Sequence, residues 1–131
     1  MKFETELHGD VLLVRVKDTI FDVRGVKQFK RDVMLAITEA EPKIKNIAIN
    51  LQNVRLLDST GLGGLLFAKR QCDLKGGVCY LVDPQPRIRS LIKISKLQGI
   101  FKIVDRESDV LPEEKEDTDT PVASDQTSNN S

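Results

Sequence analysis

The apolar residues of this chain change period several times along its length, and that alternation limits the available folds more than any other feature. Phe3 to Leu7 alternates weakly, Gly9-Asp10 is a turn signal, and Val11 to Val16 is a mostly apolar run, so the chain opens as a β-hairpin. Between Val23 and Ala40 the residues Val26, Phe29, Val33, Ile37 and Ala40 recur at spacings of three or four, and Pro42 ends the pattern. That spacing predicts an amphipathic helix. Asn46 to Leu51 alternates again and leads through Val54 to Leu56 and Leu57, a strand running toward a second helix. The stripe of that helix is Leu62, Leu65, Leu66, Ala68, Lys69 and Cys72, and it ends near Gly76-Gly77. Val78 to Val82 reads as a buried strand closed by Asp83-Pro84. A third helix, Arg87 to Lys96, places Ile88, Leu91, Ile92 and Ser95 on one side; Gly99 closes it and Phe101 to Val104 makes a last strand. The order ββαβαβαβ predicts an α/β domain, because strands that alternate with helices become parallel neighbours joined by crossovers.

With 131 residues and 40% hydrophobic content there is material for one core and too little for two. The expected division is a folded domain over 1–110 and a disordered acidic tail over 111–131, where Pro112 and Pro121 stand among Ser, Thr, Asp and Asn. The formal net charge of zero hides a segregation. The tail carries Glu113, Glu114, Glu116, Asp117, Asp119 and Asp125 against Lys115, leaving it at about −5 and the body at about +5. A body so mildly basic does not suggest a nucleic-acid partner, which calls for gathered cations and exposed aromatics. No run of eighteen apolar residues and no apolar leader is present, so neither a membrane span nor secretion is expected. Cys72 and Cys79 match no metal or redox spacing and His8 is the single histidine, so no metal site is expected and both thiols are expected to be reduced and at least partly buried.

The stretch Leu57-Asp58-Ser59-Thr60-Gly61-Leu62-Gly63-Gly64 falls where the strand gives way to the second helix. Asp, Ser and Thr are preferred helix N-caps, which accounts for Asp58 to Thr60 without any further role. Capping does not account for three glycines, each of which costs a helix about 1 kcal/mol relative to alanine. Glycines leave a face on which another molecule can approach closely. A dinucleotide loop would need a third glycine at position 66, where Leu66 stands, and no P-loop spacing with a lysine occurs. A serine nucleophile lacks the Gly-x-Ser-x-Gly turn and would have only His8 as base. Catalysis and a bound cofactor are therefore not expected, and the remaining role is a hydroxyl that is itself modified, at Ser59 or Thr60. Phosphate on either would add about −1.5 to −2 charges at a positive helix start.

Asp58-Ser59-Thr60-Gly61-Leu62-Gly63 resembles the Asp-Ser-Ser/Thr-Gly-Leu-Gly signature of bacterial anti-sigma factor antagonists, which are STAS domains, and the resemblance extends from about Met1 to Arg106. It implies a mixed, mostly parallel sheet of about five strands with helices mainly on one face. It implies also that Ser59 is phosphorylated by an anti-sigma factor with serine kinase activity and reset by a phosphatase. The unphosphorylated protein would bind that kinase in the cytoplasm and release sigma factor. Asp22, in the loop before the first helix, matches the family's motif acid, although Thr19-Ile20-Phe21-Asp22 stands where Gly-Glu-Leu-Asp is common. The implied partner surface is Asp22, Asp58, Ser59, Thr60, Gly61, Leu62 and Gly63. The alternative is a STAS scaffold in a signalling assembly that does not act on a sigma factor.

Overall fold

The computed structural model describes residues 3–40 and 43–112. Strand β1 (Phe3–His8) and strand β2 (Val11–Val16) pair antiparallel, His8 opposite Val11, and Gly9 makes the turn at φ 61°, a left-handed conformation glycine adopts without strain. The chain then forms β3 (Ile20–Phe21), helix α1 (Val23–Glu39), β4 (Asn46–Asn50), β5 (Leu56–Leu57), helix α2 (Ser59–Leu74), β6 (Cys79–Val82), helix α3 (Pro86–Ile94) and β7 (Lys102–Val104). A single 3-10 turn, Glu107–Asp109, follows. The main sheet has five strands in the order β1-β2-β4-β6-β7, parallel everywhere except at the opening hairpin.

Alternation along β2 and β4 serves two faces. Leu12, Val14, Val16, Ile47 and Ile49 point into the larger core with Val26, Phe29 and Val33 of α1, Leu65, Ala68 and Cys72 of α2, and Ile88 and Ile92 of α3. Val11, Leu13, Ala48 and Val82 point the other way, where Val110 and Leu111 cover them in place of a helix. The stretch after β7 is tied down at Glu107, which accepts two hydrogen bonds from the Arg15 guanidinium at 2.8 and 2.9 Å and one from the Asn50 amide at 2.6 Å. Both cysteines are free and buried. No helix among the described residues is long and apolar enough to cross a membrane. The acidic tail from Glu113 onward lies outside the described residues.

Two sequence expectations need correction. Leu56 and Leu57 do not continue β4. The Asn50 side chain accepts from the Gln52 backbone N–H at 2.9 Å and turns the chain, and the N–H groups of Arg55 and Leu56 then reach the Thr19 carbonyl at 2.7 and 3.1 Å. The outcome is a separate two-stranded parallel sheet, β3 with β5, in which Ile20 faces Leu56 and Phe21 faces Leu57. The buried stripe of α2 is also displaced. It runs Gly61, Gly64, Leu65, Ala68, Cys72, while Leu66 is exposed and Leu62 half-buried.

Candidate functional site

The small β3–β5 sheet sets the geometry of the candidate site. Neighbouring strands lie about 4.8 Å apart, and the residues that leave Phe21 and Leu57 are Asp22 and Asp58, the N-caps of α1 and α2. Two helices therefore begin side by side from one sheet edge. The Asp58 carboxylate accepts from the Gly61 N–H at 2.8 Å, and the Asp58 carbonyl accepts from Leu62 N–H at 2.9 Å. Asp22 repeats the arrangement, accepting from the Arg24 N–H at 3.2 Å and, through its second oxygen, from the Arg24 guanidinium at 3.2 Å. The Arg24 hydrogen bond holds the Asp22 carboxyl below its usual range, so Asp22 is an anion at neutral pH.

Because Asp58 makes the cap, the Ser59 hydroxyl is not required for it. Ser59 is the first residue of α2 and is exposed, as is Thr60. Helical spacing aligns Ser59, Gly63, Leu66 and Arg70 in one outward stripe, all exposed. Gly63, Leu66 and Arg70 also line, with Lys30 of α1 and Phe67, a groove of 330 Å³ between the two helices. Lys30 sits 5.5 Å from the Phe67 ring centroid, a cation–π contact across that groove. On the other side of Ser59 the exposed apolar residues Ile20, Val23 and Leu56 extend the surface, Ile20 and Leu56 being direct partners on the outward side of the small sheet.

The three glycines separate by role, which corrects the expectation that all of them open space for a partner. A Cβ on Gly61 would stand 2.3 Å from the Phe21 carbonyl oxygen, and one on Gly64 would meet both Val26 methyls at 3.2 and 3.3 Å. These two face inward and let α2 lie close against β3 and α1. Gly63 alone points outward, with nothing within 4 Å. Of the residues expected to form the partner surface, Ser59, Thr60, Gly63 and Asp58 are exposed, Asp22 and Leu62 are half-buried, and Gly61 is buried. Sequence reading did not anticipate Ile20, Val23, Leu56, Lys30 and Arg70 around the site. The available signal was the parallel between Ile20-Phe21-Asp22-x-x-Gly25-Val26 and Leu56-Leu57-Asp58-x-x-Gly61-Leu62, which places the same strand-cap-helix unit twice.

A larger hollow than this groove lies elsewhere. It measures 470 Å³, sits at the carboxyl ends of the parallel strands, and includes Arg15, Asn50, Asp83 and Glu107 but not Ser59.

A five-stranded mixed sheet with three helices on one face, and two adjacent helix starts each capped by aspartate, defines a class of small α/β domain with the exposed hydroxyls of Ser59 and Thr60 at one of those starts. The STAS domain family model matches residues 2–110, and the chain belongs to that family. It is 28% identical over 114 residues to an anti-sigma F factor antagonist of Paenibacillus polymyxa, covering 86% of this chain and 94% of the relative. The fold is shared with a putative anti-sigma factor antagonist from Thermotoga maritima, with a TM-score of 0.71, 23% identity, and coverage of 82% of this chain and 89% of that one. It is shared too with the phosphorylated form of the Bacillus cell fate determinant SpoIIAA, with a TM-score of 0.66, 23% identity, and coverage of 82% and 95%.

Proposed function

We propose that this protein is an anti-sigma factor antagonist gated by phosphorylation of Ser59. The observation that carries the reading is the freedom of the Ser59 hydroxyl: it is exposed at the head of α2 while Asp58 makes the cap. A kinase can reach it without unwinding the helix. The unmodified surface has an apolar rim (Ile20, Val23, Leu56, Leu66) around a small polar centre (Ser59, Thr60, Gly63), flanked by the Asp22 and Asp58 carboxylates. Such a surface suits docking to an anti-sigma factor that carries serine kinase activity.

Phosphate on Ser59 adds a dianion beside two carboxylates. Within the protein the positive starts of α1 and α2 offset part of that charge. At a docked interface the same dianion must lose water and meet like charge, so the partner is expelled. A coupling of about 1 to 3 kcal/mol corresponds to a change in affinity of about 5- to 150-fold. A phosphatase would restore the docking form in the cytoplasm, and no bound cofactor enters the cycle.

The test has two arms. Mass spectrometry of the protein from growing cells would locate phosphate between Leu57 and Lys69, on Ser59 rather than Thr60. Binding of Ser59→Asp and Ser59→Ala to the kinase partner would then show loss for the first and retention for the second. Equal, tight binding by both refutes the switch. A co-purifying assembly without an ATPase-type kinase favours the scaffold reading, to which the unusual Thr19-Ile20-Phe21-Asp22 segment lends some weight.

A further inference from the structure

From Pro84 to Val104 the chain carries five cations, Arg87, Arg89, Lys93, Lys96 and Lys102, and no acid. This stretch contains α3, its exit turn and β7. Helix α3 buries Ile88 and Ile92, leaving Arg87, Arg89 and Lys93 exposed, with Lys96 and Lys102 exposed just beyond. Among the described residues only Arg89 of the five has a carboxylate partner, Asp105 at 3.6 Å, and the Asp105 side chain is 85% exposed. Arg87 and Arg89 stand near the start of α3, whose first turn holds no acid. The partial positive charge of a helix start disfavours cations there, so this face is electrostatically unfinished. By contrast Lys69 and Arg70 of α2 have Asp73 beside them, bonded to Lys69; α1 carries Arg24, Lys27, Lys30 and Arg31 ahead of Asp32, Arg24 being paired with Asp22, and is the competing basic surface that the experiment below separates from α3.

The matching charge is in the same chain. Residues 113–131 carry six acids against Lys115. The described chain leads there with Val110 and Leu111 on the second face of the sheet and Pro112 beside Gly9, in the β1–β2 turn. That turn is at the end of the sheet where parallel strands begin, and α3, as a crossover helix, must deliver the chain to that same end for β7. Three strand spacings separate β2 from β7, about 14 Å, and α3 packs on the face opposite to Val110 and Leu111, so the path also rounds the sheet edge by about 10 Å. A segment of nineteen residues spans about 24 Å as a coil and up to about 65 Å when extended. Attachment at that distance gives an effective concentration in the millimolar range, enough to populate a weak ionic contact.

We propose that the acidic segment Glu113–Asp125 occupies the basic face of α3 in the same molecule. The contact neutralises a surface that would otherwise draw unrelated polyanions, and it leaves the paired helix starts around Ser59 open. It is ionic and solvent-exposed, so salt weakens it over the Debye length.

Paramagnetic broadening tests the contact in the full chain. A nitroxide is attached at Ser124→Cys, the buried Cys72 and Cys79 being shielded from the reagent. The expected result is loss of half or more of the amide signal intensity at Arg87 to Lys96 and at Lys102 in low salt. Recovery is expected near 0.5 M salt, where the Debye length falls to about 4 Å. The same recovery is expected in the variant Arg87→Gln, Arg89→Gln, Lys93→Gln, Lys96→Gln, and in the variant with the six tail acids changed to their amides. Because all these side chains are exposed or lie in the tail, circular dichroism should be unchanged. The proposal is overturned by unbroadened α3 signals, by broadening centred on α1 and α2, or by broadening that survives salt and both variants. Broadening that appears only between differently labelled molecules in a mixed sample also overturns it.

Discussion

Replacing Gly61 by alanine isolates the close approach on which the geometry at Ser59 depends. Gly61 has no left-handed backbone requirement, so the effect of a methyl there is steric. The new Cβ would lie 2.3 Å from the Phe21 carbonyl oxygen and 3.2 Å from Leu57 Cγ, whereas ordinary contact begins at 3.4 Å. The obstacle at 2.3 Å is backbone, held in register by the β3–β5 pairing, so no rotamer change relieves it. Helix α2 must retreat by about 1 Å, a displacement of the kind that costs about 1 to 3 kcal/mol in a packed core. Alanine recovers about 1 kcal/mol of helix propensity. The backbone obstacle puts the steric cost at the upper end, and the net expectation is a loss of about 1 to 2 kcal/mol. Gly63→Ala meets nothing within 4 Å and keeps the propensity gain, stabilising by about 0.5 to 1 kcal/mol. Gly64→Ala meets two Val26 methyls at 3.2 and 3.3 Å, so gain and crowding nearly cancel and stability stays within about 0.5 kcal/mol of wild type. Urea unfolding followed by far-ultraviolet circular dichroism resolves differences of this size, and each kcal/mol moves the melting temperature by about 4 to 8 °C. If Gly61→Ala is as stable as Gly63→Ala, the close contact of α2 with β3 is wrong, and with it the side-by-side placement of the two helix starts.

Capping and charge at Asp58 come apart by substitution: Asp58→Ala should cost about 1 kcal/mol, and Asp58→Asn much less because asparagine caps as well as aspartate. Thermal melts of the two variants check this, and equal losses would show that the bond to the Gly61 N–H contributes little. Ser59→Ala should leave stability within about 0.5 kcal/mol, since the exposed hydroxyl is not the cap; a larger loss by the same assay would assign Ser59 a structural role. Glu107 is held below its ordinary range, first by the hydrogen bonds from Arg15 and then by that from Asn50, the effect of burial opposing both. The folded carboxyl thus takes up its proton at lower pH than the unfolded one. Its contribution is fully present above the ordinary value of 4.5 and is lost as pH falls through the lowered one. Glu107→Gln should therefore cost about 1 to 2 kcal/mol at neutral pH and flatten the stability profile on the acid side of that value. A wild-type acid profile in Glu107→Gln, measured by urea midpoints at stepped pH, would contradict this assignment.

The main sheet was legible in the sequence because its strands combine burial with length: six residues in β2 and five in β4 give alternation room to appear. Strands β3 and β5 have two residues each, too few to show any period, and they form only because Thr19 and Leu56 lie together after the chain has folded. For the same reason the glycines of α2 could be counted but not sorted. A glycine contributes no hydrophobicity to a helical stripe, so the reading drawn from Leu62, Leu65 and Leu66 turned α2 partly toward the wrong side. Once Gly61 and Gly64 are recognised as core positions shaped by the closeness of Phe21 and Val26, the buried stripe becomes Gly61, Gly64, Leu65, Ala68, Cys72. The opposite stripe is then fixed without reference to any partner: Ser59, Gly63, Leu66, Arg70. The small residues on the inner side of α2 therefore determine which side chains a partner can meet on the outer side. That is why exchanging Gly61 and exchanging Gly63, two residues apart, should move stability in opposite directions.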